Sequence, residues 1–557
     1  MHISKLLAAL EHAATHQNTE VWVVGGAIRD RLLGLPLHDL DVAVAGDAVS
    51  FARAVADATD GSFVLLGDAH GTARVVWGAR EKREAAPAAA PGAGLFDRGA
   101  AAQPDTLGLD VAQLRTPTIE DDLRLRDWTI NALALPLAAA AWLGSASAAD
   151  AAGSTANTAA STVFSAGVPV SSIVDPCGGL ADLAARRLRP CSAASLPSDP
   201  VRLLRGARLM AQFGLAVDEA TRTALHDHAA LIRHSATERT TAELLRLLAL
   251  PHAAAALTLL DDTGILTTLL PALEPSRTCD QPGGYHFLPV LAHMLEAVRC
   301  YEWIEAVALP GSAGTLPADA DPPAAVREIP ALGAPLAYSD EIRARMDETV
   351  DGIPRRALFK LALLLHDIAK PQTKQLKPNG GVSFHDHQLI GADMALNIAR
   401  GLRISKAGGA YVHLVVREHM RPGQLAELGD ALSKRAVHRF WRDVGDAGPE
   451  VLVHMMCDYM AMRGPLLNAE HWLATVGFVN ELLERRYATP ETVLPPPLVN
   501  GRDLLDALHL PPGPQIGSLL TAIREAQAEG EVATPEQALA LAKKLLNHRW
   551  ERTESTD

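Results

Sequence analysis

Short apolar runs alternate with glycine and aspartate over residues 20–80, and this spacing predicts strands at 20–25, 39–45 and 72–77. The first twenty residues, MHISKLLAALEHAATHQNTE, place apolar residues at helical spacing between polar ones, a helix and not a signal peptide. From Asp175 onward the pattern becomes helical. It resumes as helix through 354–480 and ends in a proline-punctuated helical tail. Three stretches break these periods: the Ala/Pro/Gly-rich 84–104, the Ala/Ser/Thr-rich 138–170 and the Pro/Ala-rich 305–340. The expected division is a mixed α+β head at 1–137, a low-complexity insertion at 138–170 and a helical neck at 171–275. A helical domain at 276–480, itself interrupted near 305–340, and a helical tail at 481–557 follow.

Length and composition narrow this picture. A chain of 557 residues exceeds what one core organises, and 48% hydrophobic content suffices for several. Lys and Arg number 51 against 65 Asp and Glu, a net charge of −14, which argues against nonspecific nucleic-acid binding. Any such contact needs a local basic patch. Residues 181–250 supply one, with ten Arg against seven acidic residues. The five cysteines, at 177, 191, 279, 300 and 457, are scattered without metal-binding pairs and read as reduced, as in a cytoplasmic protein. No apolar stretch is long enough to cross a bilayer, so no membrane partner is expected.

Candidate chemistry concentrates in VWVVGGAIRDRLLGLPLHDLDVAVAGD, 21–47. Gly25 and Gly26 let the backbone turn sharply and approach a ligand. The helix expected at 27–33 would offer free N–H groups to an anion, with Arg29 in its first turn. Asp39 and Asp41 are two residues apart on a strand, so both carboxylates leave one face. Their mutual repulsion is relieved by a divalent cation, and Mg²⁺ suits hard oxygen ligands and a triphosphate. Such a pair can hold two metals, one activating a hydroxyl and one stabilising the leaving pyrophosphate.

This arrangement, GGAIRDRLLG followed by HDLDVAVAG, resembles the head of class II tRNA nucleotidyltransferases, the family of CCA-adding enzymes and bacterial poly(A) polymerases. The resemblance implies a polymerase-beta-like mixed sheet, with Asp39 and Asp41 as catalytic metal ligands and Gly25, Gly26 and Arg29 at the nucleotide. EDDLRLRDWTINALAL, 120–135, is similar to the family's second motif. There Arg126 would contact triphosphate, and Asp127 and Asn131 the sugar or its supports. Leu125 stands where an arginine is usual and Trp128 where Phe is common. VDPCGGLADLAARRLR, 174–189, matches the element joining head to neck and adds Arg186, Arg187 and Arg189. In SDPVRLLRGARLMAQFGL, 198–215, Asp199 suits a helix N-cap and Pro200 the first helical position. Arg202, Arg205 and Arg208 follow on one helix side. By resemblance, Asp199 and Arg202 read the incoming base edge and Arg205 joins the nucleotide site, although Ser198 replaces the usual Glu. Glu243, in ERTTAELLRLLALP, is the expected ion-pairing acid of a buttressing helix.

A second constellation is spread over His293, His366-Asp367, His387, His419 and Asp458. Imidazoles and carboxylates on separate helices can converge on a transition metal or Mg²⁺. The order resembles an HD-domain phosphohydrolase, implying His293, His366, Asp367 and Asp458 as core ligands of Mg, Mn, Ni or Fe. His387 and His419 would complete a second metal site.

The combined expectation is an α+β nucleotidyltransferase head followed by an all-α neck, HD domain and helical tail. It would add C and/or A to a tRNA 3′ end from CTP and ATP with Mg²⁺, with the tRNA acceptor stem as partner. Phosphohydrolase activity would reside in the HD domain, and no protein partner is inferable. Three enzymatic alternatives stand beside it: CC addition only, an HD phosphodiesterase or phosphatase with an RNA-docking head, and poly(A) polymerase. A noncatalytic tRNA-binding protein is a further one, against which the intact Asp39, Asp41, His366 and Asp367 argue. The CC-only alternative rests on a departure. CCA-adding members carry a longer flexible loop before the second motif, which helps the switch from C to A, whereas TPTIED, 116–121, alone intervenes here.

Overall fold

The computed structural model describes residues 1–37, 39–67, 71–77, 108–144, 170–282, 286–309, 322–328, 336–378 and 381–554, with side chains to 547. Two compact units are present: 1–271 with 351–353, and 272–350 with 354–557.

The first unit is built on a six-stranded sheet of β1 (Val21–Val24), β2 (Asp39–Val44), β3 (Ser62–Gly67), β4 (Thr72–Val76), β5 (Gly108–Gln113) and β6 (Ala134–Pro136). Their order is β3-β4-β5-β2-β1-β6, with β2 and β5 parallel and the other neighbours antiparallel. Val23, Leu40, Val42, Val44, Leu109 and Val111 form its buried core. Helices Ile3–Gln17 and Ala48–Thr59 pack together beside it. Edge strand β3 was not among the expected strands. Its run of Phe63, Val64, Leu65 and Leu66 lacks the polar alternation that marks a half-buried strand, and Val64, Leu65 and Leu66 are partly exposed.

The insertion expected at 138–170 begins later. Leu137–Gly144 forms 3₁₀ turns in which Leu137, Ala140 and Leu143 are buried against helix Ile3–Gln17 and β1. Their spacing of three matches the 3₁₀ period, a signal hidden by the surrounding alanines. Residues 145–169, like the stretch expected at 84–104, lie outside the described residues. In the neck, helices Val201–Phe213, Thr237–Ala249 and Ala254–Asp262 pack through leucine-rich faces.

The second unit is helical. Val290–Ala308, Arg355–Leu365, His387–Gly401, Lys406–Glu418 and Gly448–Arg463 form a bundle. The break expected at 305–340 starts within the first of these helices, where Glu305 and Ala308 are buried; residues 310–321 and 329–335 lie outside the described residues. Lys360 is fully buried and its ammonium lies 2.7 Å from Glu302, since a charge there requires a partner. Among the described residues no helix is long and apolar enough to cross a membrane.

Tail helices Gly501–Leu508, Pro514–Glu529 and Pro535–Glu554 close on a small core of their own around Leu504, Ile516, Leu519 and Ile523. Glu525, 5% exposed, accepts hydrogen bonds from Arg435, Arg439 and Arg442 of helix Lys434–Val444. Bonds from Arg439, Arg435 and Arg442 hold its carboxyl down to about 2. Because the folded value is depressed, this contribution is present above the ordinary carboxylate range and is lost as pH falls toward 2. Glu525→Gln should weaken the docking of the tail by about 2 kcal/mol or more. Faster amide exchange confined to 501–547 at pH 7 would register it, and unchanged exchange would refute the clamp.

Candidate active sites

The head site begins where β1 ends. Gly25 has φ +76° and its N–H donates to the Leu133 carbonyl at 3.0 Å. A side chain there would reach 3.4 Å from Arg126 Nη1 and 3.7 Å from Asp41 Oδ2, so glycine keeps this approach open. The following helix spans Gly26–Leu32, starting one residue earlier than the 27–33 expected from sequence.

Asp39 and Asp41 project from one face of β2, and the parallel register sets Asp110 of β5 beside Asp41. Gly108 lies opposite Asp39, where any side chain would collide with Asp39 and Arg74. Arg74 of β4 donates to Asp39 at 2.9 Å and lies 3.5 Å from Asp110. Burial, then the nearby charges of Asp110 and Asp39, raise the Asp41 carboxyl to about 6. Three carboxylates face Arg74, with Arg126 also near Asp41, and negative charge stays in excess, so these residues fit a divalent cation bound through oxygen. Asp110 and Arg74 escaped the sequence reading. Their signal was present in LDVAQLR and TARVV, two strands with an inward charge, but only the sheet order reveals what they face.

Arg29 is 8% exposed and committed inside the fold. Its guanidinium donates to Asp30 at 2.8 Å and to Asn131, and stacks 4.3 Å over the Phe213 ring. The second motif does not continue its helix, which stops at Arg124. Asp127 is buried after that stop. One oxygen accepts from Trp128 N at 2.7 Å and Asn131 Nδ2 at 3.4 Å, and the other from Arg205 Nη1 at 3.0 Å. Trp128 is fully buried, and Gly206 leaves room for its indole. Asp122, also buried, receives Arg115 Nε at 2.8 Å and Arg115 N at 3.2 Å, and pairs with Arg126 at 3.4 Å. Arg115 and Asp122 therefore tie down the five-residue link 114–118 between β5 and the helix starting at Ile119.

The capping role expected of Asp199 is overturned. Pro200 is the N-cap of helix Val201–Phe213, and Asp199 makes no capping bond. A proline directly before the helix leaves Asp199 in extended backbone as the last residue of the preceding turn. Its carboxylate accepts from Arg239 at 2.7 Å and lies 4.0 Å from Arg202 Nε. Arg202 Nη1 donates to the carbonyls of Arg126 and Ser195. Arg205 and Arg208 converge on buried Glu243, at 3.3 and 2.7 Å. Arg205 thus links Glu243 to Asp127.

In the second unit, His293 Nε2 lies 2.9 Å from Asp458 Oδ1, 3.2 Å from His366 Nε2 and 3.5 Å from Asp367 Oδ2. The other Asp367 oxygen is 3.3 Å from His387 Nε2 and 3.8 Å from His419 Nε2. Two donor groups, His293–His366–Asp367 and Asp367–His387–His419, therefore share one carboxylate. The Nδ1 atoms of His366, His387 and His419 face the carbonyls of Leu363, Phe384 and Val416 at 2.8, 2.7 and 2.6 Å. This orients each ring so that its Nε2 faces inward, the posture of a metal ligand. Nε2 of His387 and His419 is buried beside Asp367 without forming a hydrogen bond, so the donor set fits divalent metal. Burial alone would raise the Asp367 carboxyl. The charges of His366 and Lys370 outweigh it and hold it well below the carboxylate range. Sequence reading missed Lys370, 2.6 Å from Asp367, and the fully buried His454.

Comparison with known proteins gives four family matches: "Poly A polymerase head domain" over 21–143, "Probable RNA and SrmB- binding site of polymerase A" over 214–276, "HD domain" over 338–462, and "tRNA nucleotidyltransferase domain 2 putative" over 481–542. A CC-adding tRNA nucleotidyltransferase of Thermus thermophilus is 30% identical, over 94% of this chain and 92% of the relative. An A-adding tRNA nucleotidyltransferase of Deinococcus radiodurans is 29% identical over 94% of each. The solved structure of Bacillus stearothermophilus CCA-adding enzyme in complex with CTP shares the fold, with a TM-score of 0.54, 19% identity, and coverage of 99% and 98%.

Since the folded value of Asp41 is raised, ionising it costs stability. The metal-free head should lose stability as pH rises from about 4 through 6, and divalent cation should reverse the loss. Asp110→Asn should flatten this pH dependence and weaken cation binding. Thermal melts across pH with and without Mg²⁺ check it; an unaltered profile in the variant would refute the coupling.

Proposed function

This chain belongs to the class II tRNA nucleotidyltransferase family and carries an HD domain, and on that premise we propose that it adds C, and not A, to the tRNA 3′ end. The observation that carries this reading is the link at 114–118. Five residues held by four hydrogen bonds between Arg115 and Asp122 make a short, tied link at the position where the switch to A addition would be made, while the 84–104 stretch, the other candidate for mobile chain, lies outside the described residues. The resemblance to both a CC-adding and an A-adding relative is compatible with a specialist of either kind, and the short link favours the first.

In this mechanism the 3′-oxygen of the tRNA attacks the α-phosphorus of CTP and pyrophosphate leaves. Mg²⁺ held by Asp39 and Asp41, with Asp110 beside them, would lower the pKa of the hydroxyl and neutralise the departing charge. Gly25 leaves space for the triphosphate next to Arg126. The Asp199 carboxylate, oriented by Arg239, accepts from the cytosine amino group, and Arg202 donates to its ring acceptors. Arg205 acts at one remove, holding Asp127, which orients Asn131 and through it Arg29. The arginine-rich neck carries the acceptor stem.

We also propose that the HD centre hydrolyses phosphate esters at RNA ends. The carboxylate shared by two imidazole groups supports that reading.

Labelled CTP should be incorporated into tRNA lacking its last three nucleotides, stopping after two additions, whereas labelled ATP on tRNA ending in CC should not. ATP incorporation at a comparable rate would refute the CC-only reading. Asp39→Asn and Asp41→Asn should each lower incorporation by about 10²-fold or more. Asp367→Asn should abolish phosphodiesterase activity on 2′,3′-cyclic phosphates and leave incorporation intact.

A further inference from the structure

We propose that His454 is a fifth imidazole donor of the HD centre, making it a site for a borderline transition ion such as Ni²⁺, Co²⁺ or Zn²⁺ in preference to Mg²⁺. The inference rests on the reading of that centre as a metal site.

His454 is fully buried on helix Gly448–Arg463, and neither ring nitrogen has a hydrogen-bond partner. It stands one turn before Asp458, so both side chains leave the same helix face. Asp458 uses that face to reach His293 at 2.9 Å. The His454 ring lies 4.9 Å from that of His366 and 5.4 Å from that of His419, one donor from each of the two groups. It therefore stands beside the junction of the two groups.

Packing does not account for an imidazole here. The Phe359 ring is 6.3 Å away centroid to centroid, and a leucine or phenylalanine would fill such space without stranding two polar atoms. A buried polar group without a partner is costly, and in native proteins it points to a ligand or ion. A bound metal gives one nitrogen its partner. The donor set then becomes five imidazoles and two carboxylates. Nitrogen-rich sites favour borderline transition ions, whereas Mg²⁺ prefers oxygen ligands and retains water.

The test uses the full chain carrying Asp39→Asn and Asp41→Asn, so that the head contributes no metal, stripped with a chelator and titrated with Co²⁺. His454→Phe should weaken Co²⁺ binding about tenfold or more and change the visible Co²⁺ absorption. Millimolar Mg²⁺ should not displace Co²⁺ from the unsubstituted centre. His454→Gln, with a melt to confirm folding, gives the same reading should the Phe variant fail to fold. Unchanged affinity and spectrum in a folded variant would overturn the proposal, as would displacement of Co²⁺ by millimolar Mg²⁺. Asp367→Asn serves as the separate control. If it binds Co²⁺ like the unsubstituted centre, the metal reading of the HD centre fails, independently of His454.

Discussion

The ion pair between Asp127 and Arg205, 3.0 Å across, joins the catalytic sheet to the neck helix. From it a continuous chain of polar contacts runs both ways. Glu243 anchors Arg205 from the next helix of the neck. Asp127 holds Asn131, which holds Arg29, which stacks on Phe213 at the far end of the same neck helix. The chain closes a loop through side chains that are buried or, for Arg205 and Asn131, half-buried. Removing one member strands a charge, so the geometry around Asp127 and Arg29 and the docking of the neck are one problem.

The same device recurs with different chemistry. In the head, Asp39, Asp41 and Asp110 surround Arg74, and negative charge remains in excess. In the HD centre, Asp367 is shared by two imidazole groups and Lys370. In the tail, one glutamate gathers three arginines. In the tail cluster both Glu525 oxygens are hydrogen-bonded and the excess positive charge sits on partly exposed arginines, so the cluster is structural. The first two leave charge or lone pairs unsatisfied inside the fold, and this residual demand separates a binding site from a clamp.

Legibility from sequence followed the range of the interactions. Asp39 and Asp41 were readable because a strand's period of two places both on one face without further information. His366 and Asp367 were readable as a dyad of adjacent residues. The N-cap reading of Asp199 fails, since capping is a local expectation and Pro200 takes that place, leaving the carboxylate to Arg239, forty residues away. Residues 138–144 of the 3₁₀ segment Leu137–Gly144 fall within the expected insertion because alanine blurs the apolar period.

By itself the sequence determined which residue types alternate, where helices and strands run, and hence which way a side chain leaves its element. It could not determine what each side chain meets. Asp110 reaches Asp41 only through the parallel pairing of β2 and β5, and His454 reaches His366 and His419 only when three helices pack. Periodicity encodes direction along one element, whereas burial and partnership depend on contacts between elements far apart in the chain. For that reason the paired aspartates were visible in the sequence, and the third carboxylate and the extra imidazole emerged only from the fold.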